Sequence, residues 1–267
     1  MSYPSTGCAP TCAIDVTLTP SITPQTVANF MTYVNSGAYA NTIIHRSLNA
    51  VNSSSTPPYL IQGGGYVLGP GNIPTLYEPL NPPVVNEFSA SNVAGTLGMA
   101  LPAGTNLNSA TNEWYFNVTD NASYFDSGSY TVFGNVANDP SMAVLNAVNG
   151  VTTYSADFGP NAEFTDLPLI DYSCPNPVCP LVKPDNFVFV NSIVQIPAPA
   201  VTAAGVTDAA TFVNSSKTGL SPGEFITLFG ANFSNSSASY LGPTELATLQ
   251  LQRRQRDDDP RRNTGDV

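Results

Sequence analysis

Positive charge is nearly missing from most of this chain. Arg46, Lys183 and Lys217 are the only cations before Arg253 in a protein of 267 residues with a formal net charge of −11. A surface so acidic repels phosphate backbones, which excludes nucleic acid as a partner. There is a single histidine, His45, with no acid near it in sequence, so a Ser-His-Asp arrangement has little support. The glycine-rich "QGGGY" at 62–66 lacks the Lys-Ser/Thr of a phosphate loop, and no strand–GxGxxG–helix unit occurs. No apolar run approaches the roughly 18 residues of a membrane span. The start, "MSYPSTG", has no apolar leader segment, so if the natural protein is exported its leader has been removed. Cysteine is scarce too: Cys8/Cys12 and Cys174/Cys179 form two close pairs. Disulfides, free thiols and a four-cysteine zinc site all fit those spacings. Disulfides suit this lysine-poor, Asn/Ser/Thr-rich, extracellular-looking composition best.

What is present is a chain able to bury a core, with 42% hydrophobic residues and thirteen Phe. The 24 Pro and 20 Gly, among many Thr, Val and Tyr, favour short strands and turns over long helices. Two helices are predicted. In "TPQTVANFMTYVNSG", Thr23 caps, Pro24 takes the first helical position and Gly37 marks the exit, around a stripe of Val27, Phe30, Met31 and Val34. "DPSMAVLNAVNG" repeats the logic with Asp139, Pro140 and Gly150 around Met142, Leu145 and Val148. Short β-branched or aromatic runs bounded by turn residues predict strands: "AIDVTL", "NTIIHRS", "YLIQGG", "GTLGMAL", "EWYFNV", "YTVFGNV" and "NFVFVNSIVQI". Many strands with few helices point to a mainly β, closed antiparallel barrel, which leaves no edge open.

Strand alternation then sorts faces. Trp114, Phe116 and Val118 point one way, and Glu113, Tyr115 and Asn117 the other. Leu60 and Gln62 share a face opposite Ile61. In "IIHRS", Ile44 is expected beside Arg46, and His45 beside Ile43 towards the core. One set reads as core, while the other mixes Arg, Gln, Leu and Tyr as a ligand groove would. Glu113, Asp120 and Asp126, single acids in turns and strands, read as surface charges.

The motifs "TPQTVANFMTYV", "TIIHRS", "YLIQGGGY", "NEFSASNVAGTLGMA", "NSATNEWYFNV" and "YTVFGNV" follow one another in an order that resembles a cyclophilin of the bacterial type. The resemblance covers about residues 13 to 196. It implies an eight-stranded barrel capped by two helices and a groove that binds Xaa-Pro segments of unfolded or flexible proteins, without cofactor or metal. It places Arg46 at the family's catalytic arginine and Gln62 at the glutamine that holds the peptide backbone. Tyr59 and Leu60 match a pair lining the proline pocket, Tyr115 stands where that pocket has phenylalanine, and Ala100 lies on the groove floor. Tyr124 and Phe125 fall on the rim, and Tyr130 where many members carry histidine. Leu101 replaces an asparagine that offers backbone contacts, and Glu113 a glutamine beside the groove. Tyrosine for tryptophan on the rim implies weak cyclosporin binding at most. The first and last barrel strands are neighbours in this family, so the two cysteine pairs cross-link or pair locally. His45 is expected to be structural, since the reaction has no place for proton transfer.

Four regions follow: an N-terminal segment 1–12, the isomerase-like domain 13–198, a linker with an incomplete β-sandwich start 199–245, and a charged, disordered tail 246–267. A monomeric prolyl isomerase outside the cytoplasm is the expectation. A proline-binding adhesion or scaffold module with little activity is the alternative that Leu101, Glu113 and the appended segment suggest.

Overall fold

The computed structural model describes residues 12–50, 57–78, 80–102, 106–158, 163–175, 179–196, 200–208 and 226–231. Cys8, most of the N-terminal segment and the charged tail therefore lie outside the described residues. The chain divides into two compact units, 1–194 and 195–267.

The first unit is mainly β. Its strands are β1 (Val16–Leu18), β2 (Thr42–Ile43), β3 (Arg46–Leu48), β4 (Leu60–Gly63), β5 (Tyr66–Leu68), β6 (Pro74–Leu76), β7 (Thr96–Met99), β8 (Trp114–Asn117), β9 (Val132–Val136), β10 (Thr153–Asp157), β11 (Glu163–Pro168) and β12 (Phe189–Val190). Three helices accompany them: α1 (Pro24–Asn35), the single turn α2 (Ala122–Phe125) and α3 (Asp139–Asn149). Six strands pair in the order β1-β9-β7-β8-β4-β3, four in the order β12-β2-β5-β6, and β10 pairs with β11. The second unit contains β13 (Ala200–Asp208) and β14 (Ile226–Ala231), an antiparallel pair.

Both predicted helices form where capping chemistry places them, with one change of residue at each start. Thr23 precedes α1, but its hydroxyl donates back to the Thr19 carbonyl at 3.2 Å. The Glu87 carboxylate supplies the cap instead, accepting from Gln25 N at 3.1 Å and Thr26 N at 2.9 Å. A carboxylate there also complements the positive end of the helix dipole. At α3 the cap is Asn138, accepting from Ser141 N at 2.9 Å, so Asp139 and Pro140 are the first two helical residues. Gly37 takes φ +75° just past α1, as a left-handed helix exit requires.

One face of the six-stranded sheet and the two long helices enclose the main core. Val27, Phe30, Val34, Ile61, Leu97, Trp114, Phe116, Phe133, Leu145 and Val148 are all buried in it. A second cluster gathers Ile43, Phe164, Leu167, Leu169 and Phe187. The β10–β11 hairpin that supplies Phe164 and Leu167 was not among the predicted strands, because "TTYSAD" and "EFTDLP" carry polar residues at every other position or oftener. "NFVFVNSIVQI" contributes only two strand residues; Val194 and Ile196 beyond them are 70% and 62% exposed.

The alternation expected through "IIHRS" does not run straight. Ile44 lies in the main core, yet Arg46 is exposed. The chain leaves the four-stranded sheet after Ile43 and enters the six-stranded one at Arg46. The two residues between donate in different directions, Ile44 N to the carbonyl of Val188 just before β12 at 2.9 Å and His45 N to Gln62 O of β4 at 3.1 Å. That crossing resets the phase of the pleat. His45 is buried with Tyr66 and Phe164 of the second cluster rather than in the main core.

One of the two cysteine pairs falls within the described residues. Cys174 and Cys179 are bonded to each other, so of the two pairings foreseen this pair takes the local one. A sulfur forms only one such bond, which rules out the cross-link from half-buried Cys12 to either of them. That leaves Cys12 the local pairing with Cys8, which lies outside the described residues.

Candidate functional site

A single register row crosses the six-stranded sheet: Arg46 faces Gln62, Gln62 faces Tyr115, and Tyr115 faces Gly98. Direct partners across antiparallel strands project to the same face. This is the face away from the main core, since the adjacent row runs Ser47, Ile61, Phe116 and Leu97, all buried. Two residues along from the first row come Leu60 and Ala100. They join Tyr115 in a small third cluster against which Leu48, Phe125 and Tyr130 pack. The aromatic rings interlock, with Tyr115–Phe125 at 5.3 Å, Phe125–Tyr130 at 5.1 Å and Tyr115–Tyr130 at 6.2 Å between centroids. An exposed guanidinium and a half-buried amide thus sit beside an apolar, aromatic platform on one surface.

The glycines explain how the surface is levelled. A Cβ at Gly98 would overlap the Tyr115 ring, so the missing side chain lets that ring lie over β7. Gly63 and Gly64 make the same room for Trp114, and Gly65 for the Glu113 carboxylate. Gly64 also takes φ +89°, a conformation open to glycine. The "GGG" run therefore serves close packing.

Tyr115 is 3% exposed, and its hydroxyl donates to Asn92 Oδ1 at 2.6 Å. Burial, reinforced by Tyr130 and Asp126, pushes its phenol far above the usual tyrosine range. The same Asn92 oxygen accepts from Asn117 Nδ2 at 3.1 Å, and Asn117 Nδ2 donates to Thr96 Oγ1 at 2.8 Å. Asn92 Nδ2 donates to Asp126 Oδ1 at 3.0 Å and to the Tyr130 carbonyl at 3.2 Å. Asn121 Nδ2 donates to Asn117 Oδ1 at 2.8 Å and to the Tyr59 carbonyl at 2.9 Å. A buried network of asparagines thereby fixes the floor, the Tyr130 segment and the Tyr59 strand to one another. Of these asparagines, only Asn117 was picked out from the sequence, and only for its facing. Asparagine in "SASN" and "DNAS" reads as loop filler, and only the fold shows that its amides meet.

Glu113 is no surface charge. Its Oε2 accepts from Gln62 Nε2 at 2.7 Å and lies 3.5 Å from His45 Nε2. Burial would raise this carboxyl, but His45 and then Gln62 outweigh it and hold the group below the ordinary range. Asp126 is likewise engaged: burial opposes its charge, and hydrogen bonds from Ser91 and Asn92 lower it overall. Of the three acids, only Asp120 stays exposed, accepting from Ala122 N at 3.0 Å to start α2.

A family model for "Cyclophilin type peptidyl-prolyl cis-trans isomerase/CLD" matches residues 10–165. The chain belongs to this family. Peptidyl-prolyl cis-trans isomerase A of Dickeya dadantii (strain 3937) is 33% identical over 163 residues, 59% of this chain and 75% of that protein. Isomerase B of Escherichia coli (strain K12) is 35% identical over 138 residues, 49% of this chain and 74% of that one. A solved Cryptosporidium parvum cyclophilin, crystallised in the presence of the dipeptide Ala-Pro, is 20% identical with a TM-score of 0.40. It covers 57% of this chain and 89% of that one.

On this cyclophilin surface the expected residues fall into three groups. Leu60, Ala100, Tyr115, Phe125 and Tyr130 come together as the platform, with Arg46 and Gln62 along its register row. Tyr124 stands 47% exposed on α2 next to Phe125, and half-buried Tyr59 precedes β4. Leu101 does not join them: it packs against the main core. A cavity of about 230 Å³ opens beside Ala100 and Glu113, lined also by Gly65, Tyr77, Glu78 and Asn112. The disulfide between Cys174 and Cys179 leaves those two sulfurs no part in a metal site.

Proposed function

We propose that residues 13–198 of this cyclophilin rotate Xaa-Pro bonds in unfolded or flexible protein segments, working as a monomer outside the cytoplasm. An Xaa-Pro bond turns over a barrier of about 20 kcal/mol because rotation breaks amide resonance, which takes tens to hundreds of seconds unaided. The reaction needs no nucleophile, metal or cofactor. Twisting makes the prolyl nitrogen pyramidal and gives it a lone pair, so a donor aimed there favours the transition state over both ground states. Arg46 suits that role because guanidinium is always charged and rigidly forked. Gln62 holds the client backbone on one side of the rotating bond, and the platform seats the pyrrolidine ring. Tyr59 lines the pocket with Leu60, Tyr124 and Phe125 form its rim, and the tyrosine on that rim makes cyclosporin a weak ligand.

The observation that carries this reading is the direct pairing of Arg46 with Gln62 beside an apolar aromatic cluster. The reading includes closure of the β-strands into an eight-stranded barrel around the main core. Among the described residues no helix is long and apolar enough to cross a membrane. An isomerisation assay on a proline tetrapeptide decides between this reading and the proline-binding module. The first requires a rate gain over solvent; the second requires binding with almost none.

A further inference from the structure

Glu113 is held from three sides at the edge of the platform. Gly65, lacking a side chain, leaves space for its carboxylate. His45, itself 6% exposed and packed with its ring tilted against Tyr66 at 4.7 Å between centroids, presents Nε2 at 3.5 Å. Gln62 meets the same oxygen at 2.7 Å. A side-chain amide can ordinarily turn over, exchanging its oxygen and nitrogen with little to choose between them. A carboxylate carries acceptors only, so the Gln62 atom that meets Glu113 has to be Nε2. The turned-over amide would set two oxygens against each other.

We propose that Glu113 is a positioning residue for the isomerisation: it locks the Gln62 amide in one orientation, so that the carbonyl oxygen and remaining N–H meet the client backbone in fixed places. The proposal rests on the isomerase reading above. Gln62 lies directly opposite Arg46, so a fixed amide also fixes where the client backbone runs past the guanidinium. A group pre-set in one geometry loses less freedom when client binds, and the saving appears in the rate. His45 backs the carboxylate from the far side and does not reach the client.

The test is a double-mutant cycle on kcat/KM for a proline tetrapeptide with Gln62→Ala, Glu113→Ala and both together. Glu113→Ala alone is expected to lower kcat/KM about tenfold, the kinetic equivalent of one hydrogen bond. In the Gln62→Ala background it is expected to have no further effect, because it acts through Gln62. Losses that add in the double mutant, or no loss in the single, would overturn the proposal. A wild-type protein without any rate gain would instead overturn the isomerase reading itself. Should Glu113→Ala not fold, nuclear magnetic resonance of the Gln62 side-chain amide answers the question. Its protons are expected to shift with the titration of a carboxylate in the wild type and not in Glu113→Gln. Amide signals that ignore acid in the wild type would overturn the lock.

Discussion

Tyr115 gives its hydroxyl hydrogen to Asn92 Oδ1 across 2.6 Å, beneath the aromatic platform. The bond resolves the cost of placing a hydroxyl in a buried apolar cluster, because a buried donor without a partner costs about 1–3 kcal/mol. Tyr115→Phe removes the donor but leaves Asn92 Oδ1 its Asn117 bond. Thermal or denaturant unfolding should show a loss of only about 0.5–1.5 kcal/mol, with isomerase rate within twofold of wild type. Asn92→Leu, which strands the Tyr115 hydroxyl and takes one partner each from Asn117 and the Asp126 carboxylate, should cost about 3 kcal/mol or more. Equal effects from the two variants would contradict the network as described.

His45 should behave as a structural residue. Its ring fills space between Tyr66 and Phe164, at 4.7 and 6.2 Å between centroids. His45→Ala leaves a gap there and removes one partner of the Glu113 carboxylate. Calorimetry is expected to show a loss of about 1–3 kcal/mol, while folded molecules keep the greater part of their activity. Inactivation without destabilisation would give His45 a chemical role that the account denies it.

Acid should destabilise the protein in a defined window. The folded-state values of Glu113 and Asp126 both lie below those of free carboxylates. Unfolded Glu and Asp titrate near about 4.3 and 3.9. Groups lowered on folding bind protons more readily in the unfolded chain, so their stabilisation is complete above those values. It is lost as pH falls through the folded ones. Melting temperature measured against pH should be level down to about pH 5 and drop below about pH 4. Glu113→Gln should make the drop shallower. A melting temperature that rises on acidification to pH 3 would reverse the sign argued here.

Removal of the chain after about residue 199 should leave the isomerase rate unchanged. The core residues of the first unit all precede Val190, and the second unit's described part is a single two-stranded ribbon. Such a ribbon is marginal on its own. Limited proteolysis followed by mass spectrometry should give a stable fragment ending near Pro199. Activity lost with the C-terminal part would join it to the catalytic unit.

Much of the site was legible because strand alternation is a local property. Leu60, Gln62 and Tyr115 could be assigned to one face from their spacing alone, and the register rows put them there. The helices were legible because a proline and an exit residue bracket each apolar stripe; only the caps moved, to Glu87 and Asn138. What stayed hidden depends on contacts distant in sequence. Glu113 read as a surface charge because its partners, His45 and Gln62, are 68 and 51 residues away. The facing of Ile44 and Arg46 was misread because a strand that changes sheets breaks its own period. The direction of the Leu101 side chain, which packs against the main core, was hidden because that packing, too, is distant in sequence, and the backbone contact expected at that position does not depend on the side chain's direction. Cysteine spacing left local pairing and cross-linking equally open, and only the fold excludes a bridge from Cys12 to the 174/179 pair.

The central claim is that Arg46 stabilises the twisted bond. The kinetics of Arg46→Ala on a proline tetrapeptide, with its melting curve, test it most directly. Arg46 is exposed, with Gln62 held by Glu113 across the strand, so its loss strands no buried partner. The isomerisation rate constant should fall by about 10²-fold or more, by analogy with losing one oxyanion-hole donor, while the melting temperature stays put. Arg46→Lys should restore only part, because a point charge on a flexible stem loses the aim of the fork. An Arg46→Ala protein that melts like wild type and isomerises the tetrapeptide at the wild-type rate would contradict the account.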